Sequence, residues 1–298
     1  MRTYSCIPEP YWRSAVSDEM FAAAYEAVSE KNRGVLKKLI AQLHSRSDAS
    51  SLMTEMSVRE YAQGFTCRVS SRPSSWAILS LDQNFNSPCQ LLAAVMPCIS
   101  HLIPKIAVFG AGSVFQTTPS LLTALELAGI ETVFSSGQPE WVGDLLQSAT
   151  EEGPGVLIGL GETGFLQYCC SVRPNQDVPF VPLNTVTRLG VWAEEDLWDT
   201  DILRFAHPGA EITWFGPKPD DFSPTVHEPL DQDRFFRSHF HAVYVPEGMV
   251  DQTLEHFNLV LCPGQEGSWF WPSLKETVLR AERFAWTGSG RKYDPGFF

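Results

Sequence analysis

Residues 76–112, WAILSLDQNFNSPCQLLAAVMPCISHLIPKIAVFGAG, decide the fold: a short apolar strand, an apolar helix, and a second strand ending in small residues. Strands are expected at Trp76 to Leu81 and Lys105 to Phe109, each too short and too uniformly apolar to be an amphipathic helix. Leu91 to Gly112 is the most apolar window of the chain. Pro97, His101, Pro104 and Lys105 interrupt it, so it reads as helix, turn and strand and not as a membrane span. The cadence continues downstream, with strands expected at Glu131 to Phe134 and Gly155 to Gly159. Between them the helix Pro119 to Leu127 has Thr118 as N-cap, proline at its first position and Gly129 just past its end. Strand, helix, strand at this spacing means parallel pairing, with ligands expected at the carboxyl ends of the strands.

Upstream, Ser17 to Ser29 and Val35 to His44 carry apolar residues at helical spacing and read as an amphipathic pair covering the sheet. Serine-rich segments at Ser45 to Ser51 and Ser70 to Ser75 read as turns, and Pro174 to Pro182 as a connection. A second α/β portion follows. Strands are expected at Thr187 to Trp192 and Glu211 to Phe215 around an acidic helix, Glu194 to Phe205, with Gly216 to Pro229 as loop. His241 to Val245, the helix Glu247 to Phe257 and the strand Asn258 to Cys262 make a further βαβ unit. The class expected is α/β, with Rossmann-like αβα layers in two domains and N-terminal helices.

With 298 residues a large core is available, and one large domain or two intermediate ones both fit. A net charge of −13 argues against nucleic acid and anionic membrane as partners. Glu9 and Arg13 precede any sustained apolar run, so no signal peptide is expected. Seven cysteines without a C-x-x-C pair fit reduced thiols in a cytoplasmic protein, and no structural zinc spacing is present.

Gly110-Ala111-Gly112 follows a strand, as a phosphate-cradling turn does, although the third glycine of the dinucleotide fingerprint is missing. Ser135 and Ser136 stand where an acidic residue would hold a ribose. Gly159-Leu160-Gly161-Glu162 sits equivalently after the next strand, with a glutamate that would repel a phosphate. His239 and His241, two apart at the start of a strand, share a face. His207, ending the acidic helix, reads as a cationic cap for the helix dipole. Cys262, at a strand end before a glycine loop, is a candidate nucleophile set against a buried structural thiol. The cluster Trp269-Phe270-Trp271-Pro272 reads as packing between domains, or as a pocket lining. Tyr293 to Phe298 reads as a docked C-terminus or a partner contact.

Ser87 to Met96 with Pro97-Cys98, the Ala-Leu-Glu-Leu-Ala-Gly-Ile core at 124–130 and Ser136-Gly137-Gln138 together resemble the cofactor domain of histidinol dehydrogenase, of the aldehyde-dehydrogenase-like fold. The resemblance covers Ser87 to Arg173. It implies a discontinuous domain, 1–85 plus 182–298, with a Rossmann-like cofactor-type domain, 86–181, inserted in it. It also implies dimers and NAD or NADP as cofactor, with a nucleotide or small polar metabolite bound between the domains near Gly110, Gly112, Ser136, Gln138 and Gly161. The family's two zinc ligands would fall on Arg204 and His207, and arginine does not ligate a divalent metal, so no zinc is expected. The family's catalytic Glu-His pair would fall on Ser238 and His239, keeping the imidazole without its carboxylate. His239 is therefore the candidate acid–base of an oxidoreductase. Two alternatives stand beside it: a Cys262-dependent aldehyde or acyl-thioester reductase, and a non-catalytic binding or scaffold protein on the same fold.

Overall fold

The computed structural model describes residues 7, 9–46, 54–136, 141–173, 178–193, 197–217 and 225–288. Three helices come first: α1 (Glu9–Trp12), α2 (Asp18–Ala27) and α3 (Glu30–Arg46). Ser17 starts α2, its hydroxyl accepting from the amide of Met20 at 3.4 Å. A hairpin follows, β1 (Glu55–Tyr61) and β2 (Phe65–Pro73), where serine-rich turns were expected around Ser70. Local composition misleads there because β2 also pairs with a strand more than 200 residues downstream.

The first α/β unit runs β3 (Trp76–Leu81), α4 (Pro88–Ser100), β4 (Ile106–Ala111), α5 (Val114–Thr117), α6 (Pro119–Leu127), β5 (Val133–Ser136), α7 (Trp141–Thr150), β6 (Gly155–Gly161), α8 (Thr163–Ser171) and β7 (Phe180–Asn184). Its five strands are all parallel, in the order β5-β4-β3-β6-β7. The sheet reaches beyond 86–181 on both sides, because β3 is its central strand and β7 its edge. Alternation along β3 assigns the two faces. Ala77, Leu79 and Leu81 pack with α4 and α6, while Trp76 and Ile78 pack with α7 and Cys169 of α8. Gly155 lies flat against the Trp76 ring, where a Cβ would come within 2.0 Å.

The second unit repeats the plan. β8 (Arg188–Trp192), α9 (Thr200–Ala206), β9 (Glu211–Phe215), β10 (Thr225–Glu228), α10 (Gln232–Arg237), β11 (Ala242–Tyr244), α11 (Val250–Leu254) and β12 (Val260–Leu261) form a second parallel sheet in the order β10-β9-β8-β11-β12. Each unit starts on its central strand, lays two strands to one side and then crosses back. That is the doubly wound order, with its switch point beside the first strand. β10 lies within the expected loop 216–229 and β7 closes the expected connection 174–182. Each is a short strand whose sheet partner, not its composition, makes it one.

α4 joins the units. Leu91, Ala94, Val95 and Cys98 face the first sheet, while Cys89, Leu92, Ala93 and Met96 face the second. Eleven of its thirteen residues are buried, which is why its sequence is apolar all round. Ser87 caps it, accepting from the Gln90 amide at 3.2 Å, with Pro88 in the first turn. The chain ends its described part in β13 (Arg280–Gly288), which pairs antiparallel with β2 to complete a three-stranded ribbon, β1-β2-β13. Among the described residues no helix is long and apolar enough to cross a membrane.

Candidate functional site

The carboxyl edge of the first sheet gathers most of the glycines singled out in the sequence. Leu81 pairs with Gly110 and with Leu160, Gly110 with Ser135, and Ala111 with Ser136, so the carboxyl ends of β3, β4, β5 and β6 lie side by side. Each glycine has a local physical reason. At Gly110 a Cβ would meet Val114 and Phe115 at 2.4 and 2.5 Å, so its absence lets α5 fold back on β4. Gly112 turns with φ +58°. At Gly161 a Cβ would lie 2.4 Å from the Cβ of Asp82. Gln138 lies outside the described residues.

Asp82 holds the switch point between β3 and β6. It is 8% exposed, and its Oδ2 accepts from the amide of Glu162 at 3.1 Å where α8 begins, while Oδ1 accepts from Asn84 at 3.4 Å. A helix N-terminus at a switch point is where an anionic ligand finds free amides. Here the protein places its own carboxylate on that amide, and the exposed Glu162 adds a second negative charge. The turn between β3 and α4, Asp82 to Ser87, contains no glycine. Asp82 was not singled out in the sequence. An acidic residue directly after the first strand of a doubly wound sheet was the available signal.

From there the chain crosses to the amino edge of the second sheet. β7 ends at Asn184 and β8 begins at Arg188, so the two edges are separated by three residues of chain, with the Thr185 amide donating to the Gly161 carbonyl at 2.9 Å. The turn after β3 also touches this side: Ser87 Oγ donates to the Ala206 carbonyl at 2.6 Å, and a Cβ on Gly209 would sit 2.9 Å from the Asn86 amide nitrogen. His241 lies on this edge with its Nδ1 3.4 Å from the Arg188 amide nitrogen, and the Arg188 guanidinium lies over Phe240 at 5.5 Å. His239 is exposed, just before β11. Its neighbour Ser238 directs its hydroxyl to the Arg234 carbonyl at 2.8 Å.

Cys262 is placed elsewhere. It follows β12 at the carboxyl edge of the second sheet, so His239 and Cys262 stand at opposite ends of the same sheet. Burial, together with the nearby Glu247 carboxylate, raises its thiol above the ordinary value, which disfavours the nucleophilic thiolate.

His207 corrects an expectation. It is no cationic helix cap: it is 3% exposed, and burial pushes its pKa down to about 3. Gln90 Nε2 lies 3.3 Å from Nδ1 and Tyr244 Oη 2.7 Å from Nε2, while the Tyr244 hydroxyl donates to the Glu266 carbonyl at 3.3 Å. Those contacts assign the neutral tautomer with the proton on Nε2. Both ring nitrogens are committed inside the core, and Arg204 is exposed, so the zinc set that the resemblance places on these two positions does not fit. Trp269 packs edge-on against His207 at 5.1 Å, and Trp271 Nε1 donates to the Gln90 carbonyl at 3.0 Å. The aromatic cluster packs around α4, and Phe270 and Trp271 also line a cavity of about 50 Å³ with Leu43, Arg46, Ala93 and Pro97. Among the described residues no three His, Cys, Asp or Glu side chains gather into a metal site.

Two doubly wound α/β units in one chain define the class, paired Rossmann-type sheets. Solved structures place it more narrowly. A histidinol dehydrogenase from Elizabethkingia anophelis superposes over 92% of this chain and 76% of its own, with a TM-score of 0.58 at 11% identity. An NAD-dependent benzaldehyde dehydrogenase from Corynebacterium glutamicum and a succinate-semialdehyde dehydrogenase from Burkholderia pseudomallei each match 95% of this chain and 86% of their own, with a TM-score of 0.50 at 12% identity. The chain has the fold of these structures. No protein-family model matches it, and no curated protein matches it.

Proposed function

We propose that this chain is a binding protein on the dehydrogenase fold. It takes a small polar metabolite without a phosphate group into the cleft between the carboxyl edge of the first sheet and the amino edge of the second. One observation carries the reading: the Asp82 carboxylate occupies the Glu162 amide at the switch point. A pyrophosphate there would displace a half-buried ionic hydrogen bond and sit beside two carboxylates. The neutral, core-bound His207 and the raised Cys262 thiol support the same conclusion. The six described cysteines are unpaired, which supports a cytoplasmic setting.

Calorimetric titration of the purified chain with NAD, NADP and zinc tests it. The expected result is no saturable binding of either dinucleotide or of the metal, with stabilisation by a neutral or cationic metabolite in a thermal-shift panel. Saturable NAD or NADP binding overturns it. In that event the second reading takes over, a nicotinamide-dependent oxidoreductase with His239 as acid–base. What favours that reading is the three-residue link, which sets the His239 edge against the glycine edge.

A further inference from the structure

The cavity of about 50 Å³ beside the aromatic cluster lies away from the cleft. The cleft meets α4 at its N-cap, Ser87, whereas the cavity opens beside Pro97 in the last turn of the same helix. A helix rises about 1.5 Å per residue, so about 15 Å of packed helix separates the two. Three segments remote in sequence build the cavity. Leu43 and Arg46 come from the last turn of α3, Pro97 from α4, and Phe270, Trp271 and Glu276 from the segment before β13. Trp271 is held in place by its indole bond to the Gln90 carbonyl.

Two opposite charges line this space without meeting. Arg46 lays its guanidinium over the Phe270 ring, 4.4 Å from the centroid. Glu276 instead approaches His101, its Oε2 lying 3.7 Å from Nε2 of the ring. Among the described residues Arg46 and Glu276 form no ion pair with one another, although both border the same small cavity.

His101 shows which group is missing. It is the C-cap of α4 and 1% exposed, with Nδ1 2.9 Å from the Pro97 carbonyl. A carbonyl only accepts, so Nδ1 carries the proton, and Nε2 of the neutral ring is an acceptor. That Nε2 is buried without a hydrogen-bond partner. The group beside it, Glu276 Oε2, is an acceptor too. Native structures rarely leave a buried acceptor unpaired, and an N–H donor brought by a ligand would serve both.

Charge and size narrow that ligand. The His101–Glu276 wall favours a positive donor, and the C-terminal dipole of α4, which ends at Ser100, adds to the preference. On the other wall a guanidinium takes a carboxylate through two parallel bonds. A lone cation would leave Arg46 beside a like charge, and a lone anion would sit against Glu276. A molecule carrying an ammonium and a carboxylate a few bonds apart satisfies both walls at once. One water needs about 10–15 Å³ of such space, so there is room for about four water-sized groups. That admits glycine or alanine and excludes an amino acid with a long side chain.

We propose that the cavity between the ends of α3 and α4 and the Phe270–Trp271 pair is a second binding site, for a small zwitterionic amino acid. Its ammonium donates to His101 Nε2 and Glu276, and Arg46 holds its carboxylate.

Isothermal titration calorimetry of the full chain with glycine and with L-alanine provides the test, and one saturable site is expected for each. Ethylammonium and glycolate keep one charge each and should bind about tenfold more weakly or worse. Glycine betaine keeps both charges, has no N–H donor and should not bind. Arg46→Gln and Glu276→Gln should each weaken glycine about tenfold or more. Both side chains are exposed, Glu276 at 54%, so the thermal midpoint without ligand should not move in either variant. No saturable binding of either amino acid overturns the proposal. Equal affinity for glycine and for ethylammonium or glycolate overturns it in favour of a single-charge site. Binding of glycine that survives both substitutions also overturns it, and assigns the amino acid to the cleft at the glycine edge.

Discussion

The two parallel sheets share one strand order, yet their interiors are finished in opposite ways. In the first, the switch point holds a buried carboxylate: Asp82 ties the end of β3 to the start of α8. In the second, the polar group beside the central strands is neutral and sealed, with His207 held between Gln90 and Tyr244. Strand topology creates a crevice in both units. The side chains placed there decide whether a ligand can use it. The first unit is thus where binding is proposed, and the second is the scaffold that faces it.

The largest expected effects test whether the two units are one cooperative body. Leu91 points from α4 into the first sheet and Leu92 into the second. Leu91→Ala and Leu92→Ala should each cost about 2–5 kcal/mol. If α4 is a shared spine, both variants unfold in a single urea transition seen alike by far-UV and near-UV circular dichroism. Two separated transitions would break the comparison into independent halves.

Acid sharpens the contrast between a charged and a neutral interior. His207 is held to about pH 3 in the folded chain and titrates near 6.5 when unfolded. Below about 6.5 the unfolded state takes up a proton that the folded state refuses. The stabilisation is therefore complete above that value and lost progressively as the pH falls toward about 3. By pH 5 the loss amounts to about 2 kcal/mol. Urea midpoints at pH 7 and pH 5 for the native chain and for His207→Gln measure it; an unchanged pH slope in the variant would assign the loss to another group.

Smaller steps probe each polar group singly. Tyr244→Phe leaves Nε2 of His207 without its partner and should cost about 1–3 kcal/mol in the same assay. Asp82→Asn keeps the shape of the turn and removes its charge, at about 1 kcal/mol. It should also let inorganic phosphate protect the chain in thermal shift where the native protein shows none; equal behaviour of the two would separate Asp82 from anion exclusion. The smallest effect is kinetic. With its thiol raised, Cys262 should be alkylated at pH 7 more slowly than the exposed Cys170, as mass spectrometry of a time course reports.

Much of this architecture was legible in the residues themselves. β3 and α6 match the expected limits, because uniform apolarity at β3, and proline at the start with Gly129 (φ +76°) at the end of α6, are local signals. The glycines at 110, 112 and 161 were found because tight turns after strands demand them. The ribbon was missed since β1 and β2 mix polar and apolar residues without a clear strand pattern, and β2 is held by β13, which no local pattern connects to it. His207 was misread for a related reason. A histidine after an acidic helix looks like a surface cap until Gln90, Trp269 and Tyr244, from three other segments, close over it. Periodicity and turn chemistry act over a few residues, and they determined the α/β class and the edge where the glycines gather. Burial and charge at a site are set by segments far apart in the chain, so the anion at the switch point, the sealed imidazole and the separation of His239 from Cys262 were decided only by the tertiary structure.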